Sequence, residues 1–185
     1  ADAHVEAFKP YVEAGFDEFV AARSPHLLRI AFLLTRNQPA AQDLLQDTLL
    51  KAWFAWPRIS ADPVAYVRKV LFNTFLSGLR QRWRGELPSD SLPDAGQPDR
   101  ADTIADRLAL WQALGRLPRK QRALVVLRYF EDLSEAQAAD VLGVSVGTVK
   151  SQTSRALARL RVDRDLRDAI GGGPASDPST VGGMS

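Results

Sequence analysis

The chain has 185 residues, 45% of them hydrophobic and 25% charged, with a formal net charge of +2. That composition excludes disorder throughout and suits one globular domain or two small ones. Cysteine is absent and His4 and His26 are the only histidines, which excludes disulfides, thiol catalysis and cysteine- or histidine-built metal centres, so no metal or other cofactor is expected. No apolar run approaches the roughly 20 residues of a membrane span, and the N-terminus lacks the basic-then-apolar order of a secretory signal. The expectation is a cytoplasmic protein with no direct membrane insertion.

In chain order, residues 1–15 form an N-terminal extension, in which Tyr11 and Val12, with the adjoining Phe16, suit either a helix extension or a contact for a regulator. A helical pattern runs from Phe16 to Leu34 and meets Pro25, whose missing N–H predicts two short helices or one bent one. Pro39 opens the next helix and Pro57 closes it, with Ala41, Leu45, Thr48, Leu49 and Ala52 as the core stripe. A second stripe, Asp43, Gln46, Asp47, Leu50 and Phe54, faces outward. Its mix of acidic and apolar residues suits a protein partner, while packing of Leu50 and Phe54 under the N-terminal helices is an equally good reading of the pattern. Asp62 caps a third helix that begins at Pro63, turns Val67, Val70, Leu71 and Thr74 inward and continues toward Arg84. Lys69, Asn73, Ser77 and Arg80 share its other face, with Trp83 following. From Ala65 to Arg84 there is no acid, and interleaved basic, polar and aromatic residues suit unpaired DNA held by its backbone and by base stacking.

The stretch 85–101 combines Pro88, Pro93, Gly96 and Pro98 with Asp90, Asp94 and Asp99, and has no apolar period. It reads as an acidic flexible linker between domains 16–84 and 102–161. Helical patterns then run from about Asp102 to Arg116, with Ile104, Leu108 and Trp111 on one side, and from Pro118, where Ala123, Val126, Leu127 and Phe130 fall at i, i+3, i+4, i+7 before a break at Glu131 to Leu133. Residues 162–185 pass through Gly171, Gly172, Gly173 and Pro174 and read as a flexible tail. Strand signals are nearly absent, so the fold class is all-α, with two small helical domains.

Ser134 to Arg161 carries the most specific pattern. Ser134 and Gln137 match a capping box, with Leu133 and Ala138 placed as a staple. Gly143 after Leu142 supplies a left-handed stop, Val144 can fold back onto it, and Ser145 caps a second helix. That helix is expected to bury Val146, Val149, Thr153, Ala156, Leu157 and Leu160. Its outer face, Thr148, Lys150, Ser151, Gln152, Ser154, Arg155, Arg159 and Arg161, holds no acid. This is a helix-turn-helix whose second helix fits the major groove, with Thr148, Lys150, Ser151 and Gln152 as base readers and Ser154, Arg155 and Arg159 on phosphates. The alternative is an αα-hairpin with a solvated basic face.

Three runs, AAQDLLQDTLLKAW, DPVAYVRKVLFNTF and LPRKQRALVVLRYFEDLSEAQAADVLGVSVGTVKSQTSRALARLR, resemble in their order the bacterial sigma factors of the extracytoplasmic-function type, in the sigma-70 family. The resemblance covers roughly Phe16 to Arg161. It implies a sigma region 2 bundle over 16–84 that binds the coiled coil of the largest subunit of core RNA polymerase through Asp43, Leu44, Gln46, Asp47 and Leu50. The same domain would contact the minus-10 element through Lys69, Asn73, Ser77 and Arg80, and the region 4 domain would bind the polymerase flap and read the minus-35 element. Implied partners are core RNA polymerase and promoter DNA, with an anti-sigma factor as a candidate regulator. Phe72 departs from the family, many members of which carry arginine there, and the loop from Ile59 to Pro63 gives no signature for a flipped base.

Two competing classes fit less well. A regulator acting without polymerase would need a dimer surface or a ligand or phosphoacceptor domain, which 16–84 does not resemble. An enzyme would need a nucleophile with a histidine, a phosphate loop or clustered carboxylates; GVSVGTVK over 143–150 lacks the spacing of a P-loop, and Asp43 with Asp47 on one helix lacks further ligands. No catalytic residue is expected.

Overall fold

A computed structural model describes residues 3–59, 61–82 and 111–171, with side chains over 15–59, 61–77 and 111–162. The acidic stretch 85–101, together with Trp83, Ile104 and Leu108, lies outside the described residues. Every regular element among the described residues is helical. In chain order these are α1 (Ala3–Thr35), α2 (Gln38–Ala55) followed by a 3-10 turn (Trp56–Arg58), α3 (Pro63–Arg82) and α4 (helical residues 111–116). There follow α5 (Arg119–Val125, continuing as a π-helical turn, Val126–Phe130), α6 (Glu135–Leu142) and α7 (Val146–Gly171).

α1 runs unbroken through Pro25, which excludes the two-helix alternative and leaves the single helix. Leu27, Ile30, Ala31 and Leu34 are all buried just beyond the proline, and that packing holds the helix where its lost hydrogen bond would weaken it. From Ala3 the first residues continue the same helix, the helix extension that was one of the two readings of this segment. α2 starts where Pro39 predicts, with Asn37 as the cap that the sequence reading overlooked: its Oδ1 accepts from the Ala40 N–H at 2.9 Å. Asp62 caps α3 as expected, accepting from the Ala65 N–H at 3.0 Å. Phe16, Phe19, Trp53 and Trp56 close the outer end of the α1–α2 pair through edge and tilted ring contacts at 5.1 Å.

The two halves of the chain share one core. Ile30, Phe32, Leu34, Leu44, Leu71, Phe72 and Phe75 from α1, α2 and α3 cluster with Trp111, Leu124, Leu127, Ala138 and Val141 from α4, α5 with its π turn, and α6. Phe32 stacks on Trp111 with centroids 4.6 Å apart. Phe72 is fully buried in this shared core. Burying a phenylalanine there contributes about 1.5–3 kcal/mol to the shared core.

A half-buried cation ties the halves together. Arg122 donates from Nη1 to the Leu34 carbonyl at 2.7 Å, from Nε to Leu114 O at 2.9 Å, and from Nη2 to Gly115 O and Leu117 O, both at 3.2 Å. The acceptors lie where α1 and α4 end, so one guanidinium serves the negative poles of two helices. Burial first, then the nearby Arg36 and Arg119, pushes its pKa down to about 10, and it stays charged at neutral pH.

The π turn corrects one expectation. Glu131 N–H reaches Val126 O at 3.0 Å, and the wider turn shifts the register, so Phe130 is exposed while Ala123, Val126 and Leu127 are buried. Beyond Arg161, α7 stays helical to Gly171, so the backbone over 162–171 is helix where a flexible tail was expected.

Candidate nucleic-acid interface

The helix-turn-helix forms as its sequence dictates. Ser134 Oγ accepts from the Gln137 N–H at 3.2 Å while Gln137 Oε1 accepts from the Ser134 N–H at 2.8 Å, completing the capping box. Gly143 takes φ +64°, and Val144 N–H returns to Ala139 O at 3.1 Å, a Schellman stop. Ser145 Oγ then accepts from the Thr148 N–H at 3.1 Å to open α7. Val149, Thr153 and Ala156 anchor α7 in the core, with Leu157 and Leu160 half-buried. Val146, expected inside, is exposed, because the tight turn lifts the first residue of α7 away from α6.

Of the predicted face, Thr148, Lys150, Ser151, Ser154, Arg155, Arg159 and Arg161 are all exposed. Gln152 is half-buried, and its Oε1 accepts from Gln121 Nε2 at 3.1 Å, so it sits at the edge of the face. Lys150 has only a loose ion pair, 3.8 Å from Glu135, and both partners keep solvent contact.

On α3, Lys69, Asn73 and Ser77 are exposed along one side and line an open cleft of about 340 Å³ with Lys51, Tyr66, Val70 and Thr74. Lys51 reaches across from α2 to donate to Thr74 Oγ1 at 2.9 Å. Neither Lys51 nor Tyr66 was singled out from the sequence, since Lys51 belongs to a different helix and Tyr66 lies one turn before the basic stripe. The side chain of Arg80 lies outside the described ones.

On α2, Leu50 is 56% and Phe54 70% exposed, which decides against their packing under the N-terminal helices. Asp43, Gln46 and Asp47 are exposed beside them. Leu44 departs from the expected set: it is 3% exposed and packed in the shared core, because the i, i+4 spacing from Ala40 to Thr48 turns it inward. It shapes α2 but cannot touch a partner. Among the described residues, no three His, Cys, Asp or Glu side chains could hold a metal ion together. Nor is any helix there long and apolar enough to cross a membrane.

Residues 19–85 match the family model for sigma-70 region 2, and residues 107–160 the model for sigma-70, region 4. The chain is 43% identical over 155 residues to the RNA polymerase sigma-E factor of Streptomyces avermitilis, covering 83% of this chain and 87% of that one. It is 33% identical over 159 residues to the ECF RNA polymerase sigma factor SigL of Mycobacterium tuberculosis, covering 82% and 87%. The chain belongs to the extracytoplasmic-function sigma factors. As a sigma factor it acts in promoter recognition and transcription initiation, the function its motif order implies. Solved sigma factors share the fold across both halves. One is RpoE with the anti-sigma factor NepR from Bartonella quintana (TM-score 0.68, 28% identity, 82% of this chain and 98% of that one). Another is CnrH with the cytosolic domain of CnrY (TM-score 0.58, 25% identity, 83% and 90%).

Proposed function

We propose that this sigma factor reads the minus-35 element through the outer face of α7 and opens the minus-10 element on the cleft face of α3, while α2 holds core RNA polymerase. The observation that carries the reading is the acid-free, exposed face of α7 behind a fully capped turn, with Lys150 and Ser151 placed for base edges and Arg155 and Arg159 for phosphates. On α3, Lys69, Asn73 and Ser77 hold the strand backbone, with Arg80 further along the same helix, and Tyr66 supplies an aromatic face for an unstacked base. On α2, Leu50 and Phe54 are the apolar anchors and Asp43, Gln46 and Asp47 their polar rim; Leu44 has no place in the contact set.

Residues 16–84 and 102–161 form the two working units, with 85–101 as the acidic connector. The protein works in the cytoplasm and catalyses no reaction of its own; strand opening comes from trapping unpaired bases. That one structural relative was captured with an anti-sigma factor, and another with the cytosolic domain of CnrY, supports an anti-sigma protein as a partner here.

The test of the minus-10 reading is permanganate footprinting of promoter complexes formed with core polymerase. Lys69→Ala with Asn73→Ala is expected to reduce thymine reactivity in the melted region at least fivefold while upstream protection persists; normal reactivity would remove α3 from the melting step.

A further inference from the structure

Among the described residues the Gln121 side chain makes one hydrogen bond, and that bond goes to a residue of the α7 face. Gln121 lies on α5, outside the helix-turn-helix, and is 6% exposed. Its Nε2 donates to Gln152 Oε1 at 3.1 Å, across from α5 to α7. Its own Oε1 is buried and has no partner among the described residues. The pair has a firm seat, because Val125 and Ala156, one helical turn further along α5 and α7, share a buried cluster with Leu114 and Leu117. The other side chains set for base edges are held differently. Ser151 Oγ donates to Thr148 O at 3.1 Å, the Thr148 hydroxyl meets Ser145 Oγ at 2.9 Å, and Lys150 has its loose pair with Glu135. Those partners all belong to the helix-turn-helix. Gln152 is braced from outside it.

Packing does not ask for an amide at Gln121. A buried carbonyl oxygen without a donor is a cost to the fold, and a methionine of similar length would fill the same space without it. What the amide adds is an N–H aimed at Gln152. A glutamine free to turn its amide reads adenine with both ends, donating to N7 and accepting from the N6 amino group. With Oε1 held toward α5, Gln152 keeps its N–H end for the groove and loses the accepting end. Guanine, whose N7 and O6 both accept, then suits it better than adenine.

Resting on α7 as the upstream reader proposed above, we infer that Gln121 is a positioning residue for promoter choice: it fixes the Gln152 amide as a donor and so biases one base pair of the minus-35 element from adenine toward guanine. Gln121 acts through Gln152 and touches no DNA itself. Specificity at that base pair then belongs to two residues on two helices, only one of them on the recognition helix.

The test is recovery of bound fragments, from a pool randomised over the upstream element, by core polymerase reconstituted with the full chain. Gln152→Ala locates the base pair as the position whose preference it removes. There the wild-type chain is expected to favour guanine over adenine about fivefold or more, and Gln121→Met to bring that ratio to about one or below with the other positions unchanged. Gln121→Leu, read by the same ratio, guards against a fault of methionine packing. An overall loss of affinity with the ratio intact is what a structural role alone gives, and it would overturn the inference. So would a wild-type preference for adenine, the pattern of an amide pair turned the other way. Lys150→Ala in parallel separates the two levels. If it changes upstream preference while Gln152→Ala alters no position, or while the Gln121 variants keep the wild-type ratio, the positioning role alone falls. If none of these variants changes any upstream preference, α7 is not the reader and the inference falls with it.

Discussion

Replacing Leu50 and Phe54 together by alanine is expected to weaken binding to core RNA polymerase about 100-fold. Both side chains are more than half exposed on α2, beside exposed Asp43, Gln46 and Asp47, and neither belongs to a core cluster of the described residues. Truncating an apolar anchor at an interface costs about 1.5 kcal/mol or more, and two of them approach 3 kcal/mol, or two decades in affinity. Their exposure means the free protein should keep its helicity and its unfolding midpoint, so lost affinity can be read as lost contact. Titration of labelled protein into core polymerase measures it, and unchanged affinity would remove α2 from the interface. Leu44→Ala should behave in the opposite way, lowering stability by about 2–3 kcal/mol through a core cavity.

Arg122→Ala is expected to destabilise the folded chain by about 3 kcal/mol. Hydrogen bonds to a charged group contribute about 1.5–3 kcal/mol each but are not additive, and release from the half-buried site offsets part of the loss through recovered solvation. The loss removes the guanidinium from four carbonyls at the ends of α1 and α4, of which Leu114 O keeps the Leu117 N–H at 3.3 Å. Arg122→Lys should recover only part of the loss, because an ammonium cannot span two helix ends as the planar fork does. The urea midpoint reads the effect, and a loss below about 1 kcal/mol would mean that those carbonyls find water. Arg122 adds no pH dependence across roughly pH 6 to 9, where it is protonated folded and unfolded alike. Above about pH 10 the unfolded chain holds its proton longer than the folded one, so this group's contribution rises with pH.

Local signals in the sequence carried the fold a long way. Ser134, Gln137, Gly143 and Ser145 act within a few residues of themselves, and each does in the structure what its chemistry requires. Long-range choices were less legible. Arg119, Arg122 and Arg128 each donate to a main-chain carbonyl, which charge counting along the chain cannot foresee. Pro25 left two readings open and the packing that follows it chose the single helix, while Phe130 was turned outward by a π turn that periodicity assumes away. Of the candidate sites, the α7 face was readable almost complete, because helical spacing decides which side chains share it. The cleft beside α3 was half readable, since Lys51 and Tyr66 join it only through the crossing of α2 and α3. The shared core, and with it the pairing of Lys69 to Asp140, had no counterpart in any local pattern.

Promoter selection tests the central claim most directly: core polymerase reconstituted with the wild-type chain or with Lys150→Ala is used to recover bound fragments from a random pool. Lys150 is exposed and only loosely paired, so its loss leaves the fold intact. The expected result is a changed base preference at one or two positions of the upstream element, worth about 1–3 kcal/mol each, with the downstream element unaltered. A uniform loss across all sequences, or a change confined to the downstream element, would contradict the account of α7 as the upstream reader.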